Sequence, residues 1–222
     1  MFRLPETLKQ EHRRPLTVKS ITQAFAIVLS NRISLFYALA TSFFFGSLFG
    51  FLNLAQPIYV EIYQLGAYFP VAFAAVAVIM AGSAFLNSRL VGRFGQRRLS
   101  HGALIGYFGF ALLLVVLTLM GPVPFWLFFA ISMLMMPLFG FVGSNFNSIA
   151  MEPLGAIAGT ASSTLGFTQT VIGGIVGAII GQAYDGTIFA LTAGYAVVSA
   201  LSLLMVLIAE KGRLFGVGTQ DP

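Results

Sequence analysis

Ten residues, Arg89-Leu-Val-Gly-Arg-Phe-Gly-Gln-Arg-Arg98, hold four arginines between two long apolar runs. On an insertion scale an arginine at mid-bilayer costs about 2.5–3.5 kcal/mol, so four together would cost ~10 kcal/mol or more. The segment must therefore sit at a membrane surface, as a loop joining two spans. Each crossing needs about 20 mostly apolar residues. Outward from the arginines, six such runs can be read: 33–55 and 68–88 before them, then 102–120, 123–144, 155–181 and 188–209. Short connections join these runs at 56–67, 89–101, 121–122, 145–154 and 182–187. The expectation is an all-α membrane protein with six transmembrane helices in one compact bundle.

Composition agrees. Of 222 residues, 58% are hydrophobic and only 9% charged, whereas a soluble domain carries about 25% charged residues. The basic residues form three groups: Arg3, Lys9, Arg13, Arg14, Lys19 and Arg32; Arg89, Arg93, Arg97 and Arg98; Lys211 and Arg213. Six crossings put all three groups on one side, and the outer connections hold none of them. Basic residues are retained in the cytosol, so both termini and 89–101 are expected to be cytoplasmic. Orientation then explains the net charge of +5, and no nucleic-acid partner is expected. The first 32 residues are polar and basic, so the first span is expected to act as its own insertion signal. The organisation reads as a cytoplasmic segment 1–32, a transmembrane domain 33–209 and a cytoplasmic tail 210–222.

Chemistry is sparse. There is no Cys, and the two histidines are His12 and His101, so neither a disulfide framework nor a thiolate metal site is possible. No nucleophile–His–acid set, phosphate-binding glycine loop or His/Glu cluster can be found. The chain is expected to be no enzyme and to hold no cofactor and no metal. Glu6, Glu11, Glu210 and Asp221 lie in tails, Glu61 and Asp185 in outer connections, and Glu152 in an inner one. None is at mid-span, where ion-coupled transporters place a carboxylate. These acids are expected to be solvated or interfacial, with Glu152 and Asp185 beside helix ends.

Two patterns lie within the spans. Gly173, Gly177 and Gly181 share one face of the fifth span, with Gly166, Thr170, Gly174 and Ala178 beside them; Gly46 and Gly50 repeat the spacing on the first. Small residues at this spacing let helices approach closely, as fixed packing or as a sliding hinge. Polar groups at membrane depth face other helices or a cavity. Asn53, Gln56 and Gln169, with Met136 and Phe139, are the candidate lining of a greasy, adaptable substrate pocket.

The arginine segment resembles the signature cytoplasmic loop of the major facilitator superfamily, G-x-L-x-D-R-x-G-R-R. Leu90, Arg93, Gly95 and Arg97 match it, Arg89 and Arg98 flank the matches, and Ser88, Gly92 and Gln96 depart from it. Asn145-Phe-Asn-Ser-Ile-Ala-Met-Glu-Pro153, followed by Ile157-Ala-Gly-Thr-Ala-Ser-Ser163, is similar to the Bcr/CflA (bicyclomycin-resistance type) drug-efflux branch. Asn145, Asn147, Met151, Glu152, Pro153 and Gly159 fall in these segments. Leu4-Pro-Glu-Thr-Leu8 with Arg13-Arg-Pro-Leu16 resembles the central cytoplasmic linker before the seventh helix of such transporters.

A full member has about twelve helices in two six-helix halves. The resemblance therefore implies the linker and C-terminal half of a major-facilitator-type bundle. By the same resemblance, the complete transporter is a proton-coupled antiporter that exports a small amphipathic compound across the bacterial inner membrane and confers drug resistance. Its partners would be the lipid bilayer, the solute, protons, and an N-terminal six-helix half or a second copy. Arg93 and Arg97 would clamp neighbouring helix ends, with Glu152 as one acceptor, or would serve as topology signals alone. The other reading of the chain is a non-transporting membrane subunit, or a truncated fragment, packed against another membrane protein.

Overall fold

The computed structural model describes residues 17–216, and no strand occurs among them. Helix α1 (Val18–Ser30) leads through Asn31 into α2 (Arg32–Gln56), a π-helical turn (Pro57–Ile62) and a 3-10 turn (Gly66–Tyr68). Then come α3 (Phe69–Phe94), α4 (Gln96–Met120), α5 (Phe125–Met151), a second 3-10 turn (Glu152–Ile157), α6 (Ala158–Gln182) and α7 (Phe189–Ala209). Six segments are long and apolar enough to cross a membrane: Arg32–Ile62, Gly66–Phe94, Gln96–Met120, Phe125–Gly155, Ala158–Gln182 and Phe189–Ala209. All six spans read from the sequence are present. The linker-like stretches at 4–8 and 13–16 lie outside the described residues.

Where the connections carry charge or polar groups, the boundaries differ from the sequence reading. The expected loop 89–101 contracts to one residue: α3 continues through Arg89 and Arg93 to Phe94, and α4 starts at Gln96. Gly95 between them has φ +81, a left-handed conformation that glycine adopts without a Cβ penalty. Arginine side chains reach water from a terminal helical turn, so charge sets the depth of the chain without breaking the helix. In the same way α5 runs past Asn145 and Asn147 to Met151, and the 145–154 connection becomes helix and 3-10 turn. At the junction of α1 and α2, the side chain of Asn31 accepts a hydrogen bond from the Ser34 N–H at 3.0 Å and caps α2.

Helices α2, α4, α5 and α7 form the centre, with α6 packed on α2 and α3 on α5. The pattern repeats internally: α2 meets α6 and α7 as α5 meets α3 and α4. Two three-helix units related by a pseudo-two-fold axis would pack this way. At the middle, Phe44 stacks on Phe139 (5.0 Å) and meets Tyr107 edge-on (4.8 Å), and Tyr107 meets Tyr195 (5.9 Å). Each such pair contributes roughly 0.5–1.5 kcal/mol beyond its burial. Together they join one residue from each of the four central helices.

The α2–α6 contact depends on glycine. A methyl group at Gly177 would overlap the Cβ of Phe49 and lie 2.8 Å from the Phe49 carbonyl carbon. At Gly173 it would lie 3.0 Å from the Cβ of Phe45, and at Gly181 3.2 Å from the Cβ of Asn53. From the other side, Gly46 faces Val176 and Gly50 faces Ile180. Between helices in lipid there is little hydrophobic drive, so close backbone approach supplies the packing. The neighbouring small face is different: a methyl at Gly166 or Gly174 would meet nothing within 4 Å.

Gly177→Leu should therefore lower the folded yield in detergent several-fold, since overpacking a tight contact costs about 1–3 kcal/mol. Gly174→Leu, one face over, should leave the yield near the parent. Equal yields for the two variants would remove the close-contact explanation.

Candidate functional site

α4 opens Gln96-Arg97-Arg98-Leu99-Ser100-His101. Residues four apart share a helix face, so Arg97 and His101 turn inward together while Arg98 stays exposed. Arg97 is only 7% exposed, and a guanidinium this buried needs partners. Two carboxylates supply them. Nη1 and Nη2 donate to Oε1 and Oε2 of Glu152 at 3.1 and 2.9 Å, a bidentate pair, and Nε donates to Oε1 of Glu210 at 2.8 Å. Glu152 caps the C-terminus of α5 and Glu210 that of α7. One side chain thus ties the ends of three helices.

The network continues inward. Tyr37 on α2 donates its hydroxyl proton to Glu210 Oε1 at 2.7 Å and lies 2.8 Å from His101 Nε2. His101 Nδ1 accepts from the backbone N–H of Phe215 at 3.1 Å. Tyr37 and His101 are fully buried. Flanking bonds run from Ser34 Oγ to the Ala150 carbonyl (2.8 Å) and from Gln96 Nε2 to Ser148 Oγ (2.9 Å). All these groups lie at the arginine-bearing end of the bundle.

The structure separates the two arginines expected to act as clamps. Arg97 meets Glu152, whereas Arg93 is exposed and lies over the Phe94 ring at 5.6 Å; Arg89 lies over Phe85 at 5.0 Å. Glu210, expected to be a solvated tail residue, is 13% exposed and ion-paired. His101 carried no expectation and is buried at the centre of the network. Two signals pointed to them: His101 follows Arg97 by four residues, and Glu210 follows directly on the last apolar turn of α7.

Among the family segments, Asn145 Nδ2 donates to Asn87 Oδ1 and to the Phe141 carbonyl, both at 2.7 Å, joining α3 to α5. Asn147 donates to the Gly143 carbonyl at 3.0 Å and accepts from Gln169 Nε2 on α6. Met151 is half-buried, and Pro153 and Gly159 are exposed.

The five expected cavity residues do not line one pocket within this chain. Met136 and Phe139 are buried in the core, Gln169 is held by Asn147, and Asn53 and Gln56 are exposed in the C-terminal turns of α2. Asn53 donates to the Gly177 carbonyl at 3.0 Å. A cavity of about 500 Å³ opens at the opposite end from Arg97, with Tyr63, Thr118, Val123, Thr187 and Phe189 in its wall. Tyr63 donates to the Val123 carbonyl at 3.1 Å, and burial pushes its pKa up to about 12. Beside it, Thr187 donates to Asp185 from both O–H (2.7 Å) and N–H (3.0 Å), holding that carboxyl below the ordinary range.

A six-span helical bundle, charge-clamped at its arginine-bearing end, defines a polytopic membrane protein. Residues 1–178 match the Major Facilitator Superfamily, and the chain belongs to that family of membrane transporters, which are not enzymes. It is 32% identical over 186 residues to the Bicyclomycin resistance protein homolog of Haemophilus influenzae, covering 81% of this chain and 45% of that protein. It is 29% identical over 185 residues to the Uncharacterized MFS-type transporter YdgK of Bacillus subtilis, with the same two shares. The chain thus spans about half the length of the curated relatives it matches. No solved structure matches it.

Arg97→Ala strands Glu210 without its cation, and thermal unfolding in detergent should show a loss of about 1–3 kcal/mol, the usual cost of an orphaned buried group. Arg97→Lys should recover part of this, because an ammonium lacks the planar fork. Arg93→Ala should stay within about 0.5 kcal/mol of the parent, as surface substitutions do. A loss at Arg93 equal to that at Arg97 would contradict the assignment.

Proposed function

We propose that this chain is the C-terminal six-helix half of an efflux transporter, which exports a small amphipathic compound by alternating access together with a second six-helix half. The observation that carries this reading is the alignment: 81% of this chain covers 45% of a protein named as a bicyclomycin resistance homolog. The remaining length of that relative is enough for a second half. The bundle supports the reading, because it leaves broad apolar faces uncovered. Val71, Val78, Phe85 and Leu86 on α3, and Phe167, Val171, Ile175 and Ile179 on α6, are exposed. The small face Gly166, Thr170, Gly174 and Ala178 runs along the same side of α6, where another helix could approach closely.

On this reading the arginine-bearing end faces the cytoplasm of a bacterial inner membrane, and both termini lie there. Residues 1–32 serve as the linker, 33–209 as the transmembrane domain and 210–222 as the tail. Asn53 and Gln56, exposed on α2, face the path between the halves, with Gln169, Met136 and Phe139 behind them. Protons are the coupling ion, and the coupling acids sit on the second half, in keeping with the absence of a mid-span carboxylate among the described residues.

Cells making this chain with a matching N-terminal six-helix half should export an amphipathic dye or bicyclomycin, and cells making either half alone should not. Absence of export when both halves are shown to be folded and associated would overturn the proposal. Orientation is checked separately in the cysteine-free chain. A membrane-impermeant thiol reagent added to intact cells should label Glu61→Cys and spare Gly92→Cys, and the reverse pattern would invert the topology.

A further inference from the structure

The chain does not leave the bundle after α7. Lys211 (φ +52) and Gly212 (φ +78) turn it back, with the Gly212 N–H donating to the Leu207 carbonyl at 2.8 Å. Leu214 then packs against the core, and the Phe215 ring stands edge-on to His101 at 5.8 Å. Phe215 holds φ +66, a left-handed backbone that a bulky residue rarely adopts. Such a conformation persists only where its surroundings hold it. Its backbone N–H is held by one acceptor, His101 Nδ1 at 3.1 Å.

The hydrogen-bond pattern assigns the proton on the ring. Nδ1 accepts from Phe215, so the neutral ring carries its proton on Nε2 and donates it to Tyr37. Tyr37 in turn donates to Glu210. The chain of donors runs one way, from His101 through Tyr37 to the carboxylate. Around the ring, α2 contributes Tyr37, α4 contributes Arg97, and the ends of α5 and α7 contribute Glu152 and Glu210. Arg32, Arg98, Lys211 and Arg213 on the same elements are exposed to solvent. One buried guanidinium therefore faces two carboxylates, and one negative charge is left over beside a neutral imidazole.

We propose that His101 is a proton-accepting site and that its protonation releases the strap 211–216, beyond the clamped Glu210, from the arginine-bearing end of the bundle. A proton taken up from solvent binds Nδ1 and turns the strap's acceptor into a donor. Two N–H groups cannot bond each other, so the Phe215 N–H loses its acceptor and its left-handed backbone loses the hydrogen bond that holds it. The new positive charge is balanced by the surplus carboxylate. Nε2–H still donates to Tyr37, so the Arg97 clamp remains while the strap departs. This proposal is independent of transport activity and of which compound is carried.

The test uses the full chain in lipid nanodiscs. With no native cysteine, Gly216→Cys takes a single spin label on the strap, and His12→Gln leaves His101 as the one histidine for nitrogen-15 NMR. At about pH 8, above the ordinary histidine range, Nδ1 should give the shift of an unprotonated acceptor and the label should be immobilised. As the pH is lowered from about 8 through the His101 titration, followed by nitrogen-15 NMR on the same protein, the mobile fraction should rise from under about a tenth to over about a half with the same midpoint. His101→Gln, whose side-chain oxygen can still accept from Phe215, should stay immobilised throughout. The proposal fails if the label does not respond to pH, if His101→Gln responds as the parent does, or if the NMR shows the proton on Nδ1 at pH 8. The last measurement needs no substitution at His101 and stands even if that variant does not fold.

Discussion

A guanidinium buried at the wrong end of its own helix is the constraint around which the arginine-bearing end is built. Arg97 sits in the first turn of α4, where the helix dipole disfavours a cation, and Glu152 and Glu210 sit at helix C-termini, where it disfavours anions. Each charge is misplaced for its own helix and well placed for its neighbour's, because α4 starts where α5 and α7 end. The arrangement is stable only when the three helices are packed. Separating them would leave a desolvated cation and two uncompensated acids, which is why a buried pair is costly to break. Tyr37 and His101 extend the dependence to α2, so four helices register against one side chain.

Away from that end, contacts are of two other kinds. The central aromatics Phe44, Tyr107, Phe139 and Tyr195 join helices through large rings. The α2–α6 seam joins them through absent side chains at Gly46, Gly50, Gly173 and Gly177. Both are apolar and act through contact, while the charge network acts through direction. The result is a bundle well determined inside and open on its outer flanks at α3 and α6. On the proposed reading as one half of a transporter, the open flanks are the faces left for lipid and for a second unit.

Much of this was legible in the residues. Arginines cannot cross a bilayer cheaply, so the Arg89–Arg98 cluster divided the spans, and the remaining apolar runs were long enough to count. The glycine spacing on the fifth span pointed to close packing, and α2 lies on that face. The helix ends were less visible. Arginine, asparagine and glutamine are compatible with a terminal helical turn, so charge marked depth at 89–101 and polarity did so at 145–154, while both stretches remained helical.

Arg93 and Arg97 looked alike as neighbours in one basic run, yet one lies over an aromatic ring at the surface and the other is enclosed by carboxylates. Glu210 looked like a tail residue because nothing near it in sequence is its partner; its contacts are 113 and 173 residues away, at Arg97 and Tyr37. The sequence by itself determined the number of crossings and the presence of a tight helix pair, since these follow from transfer free energy and side-chain size, which are local properties. Only the tertiary structure decided which arginine is clamped, which acids answer it, and that His101 holds the returning strap. Ion pairs and hydrogen bonds depend on distances of about 3 Å, and those distances exist only after the helices have packed.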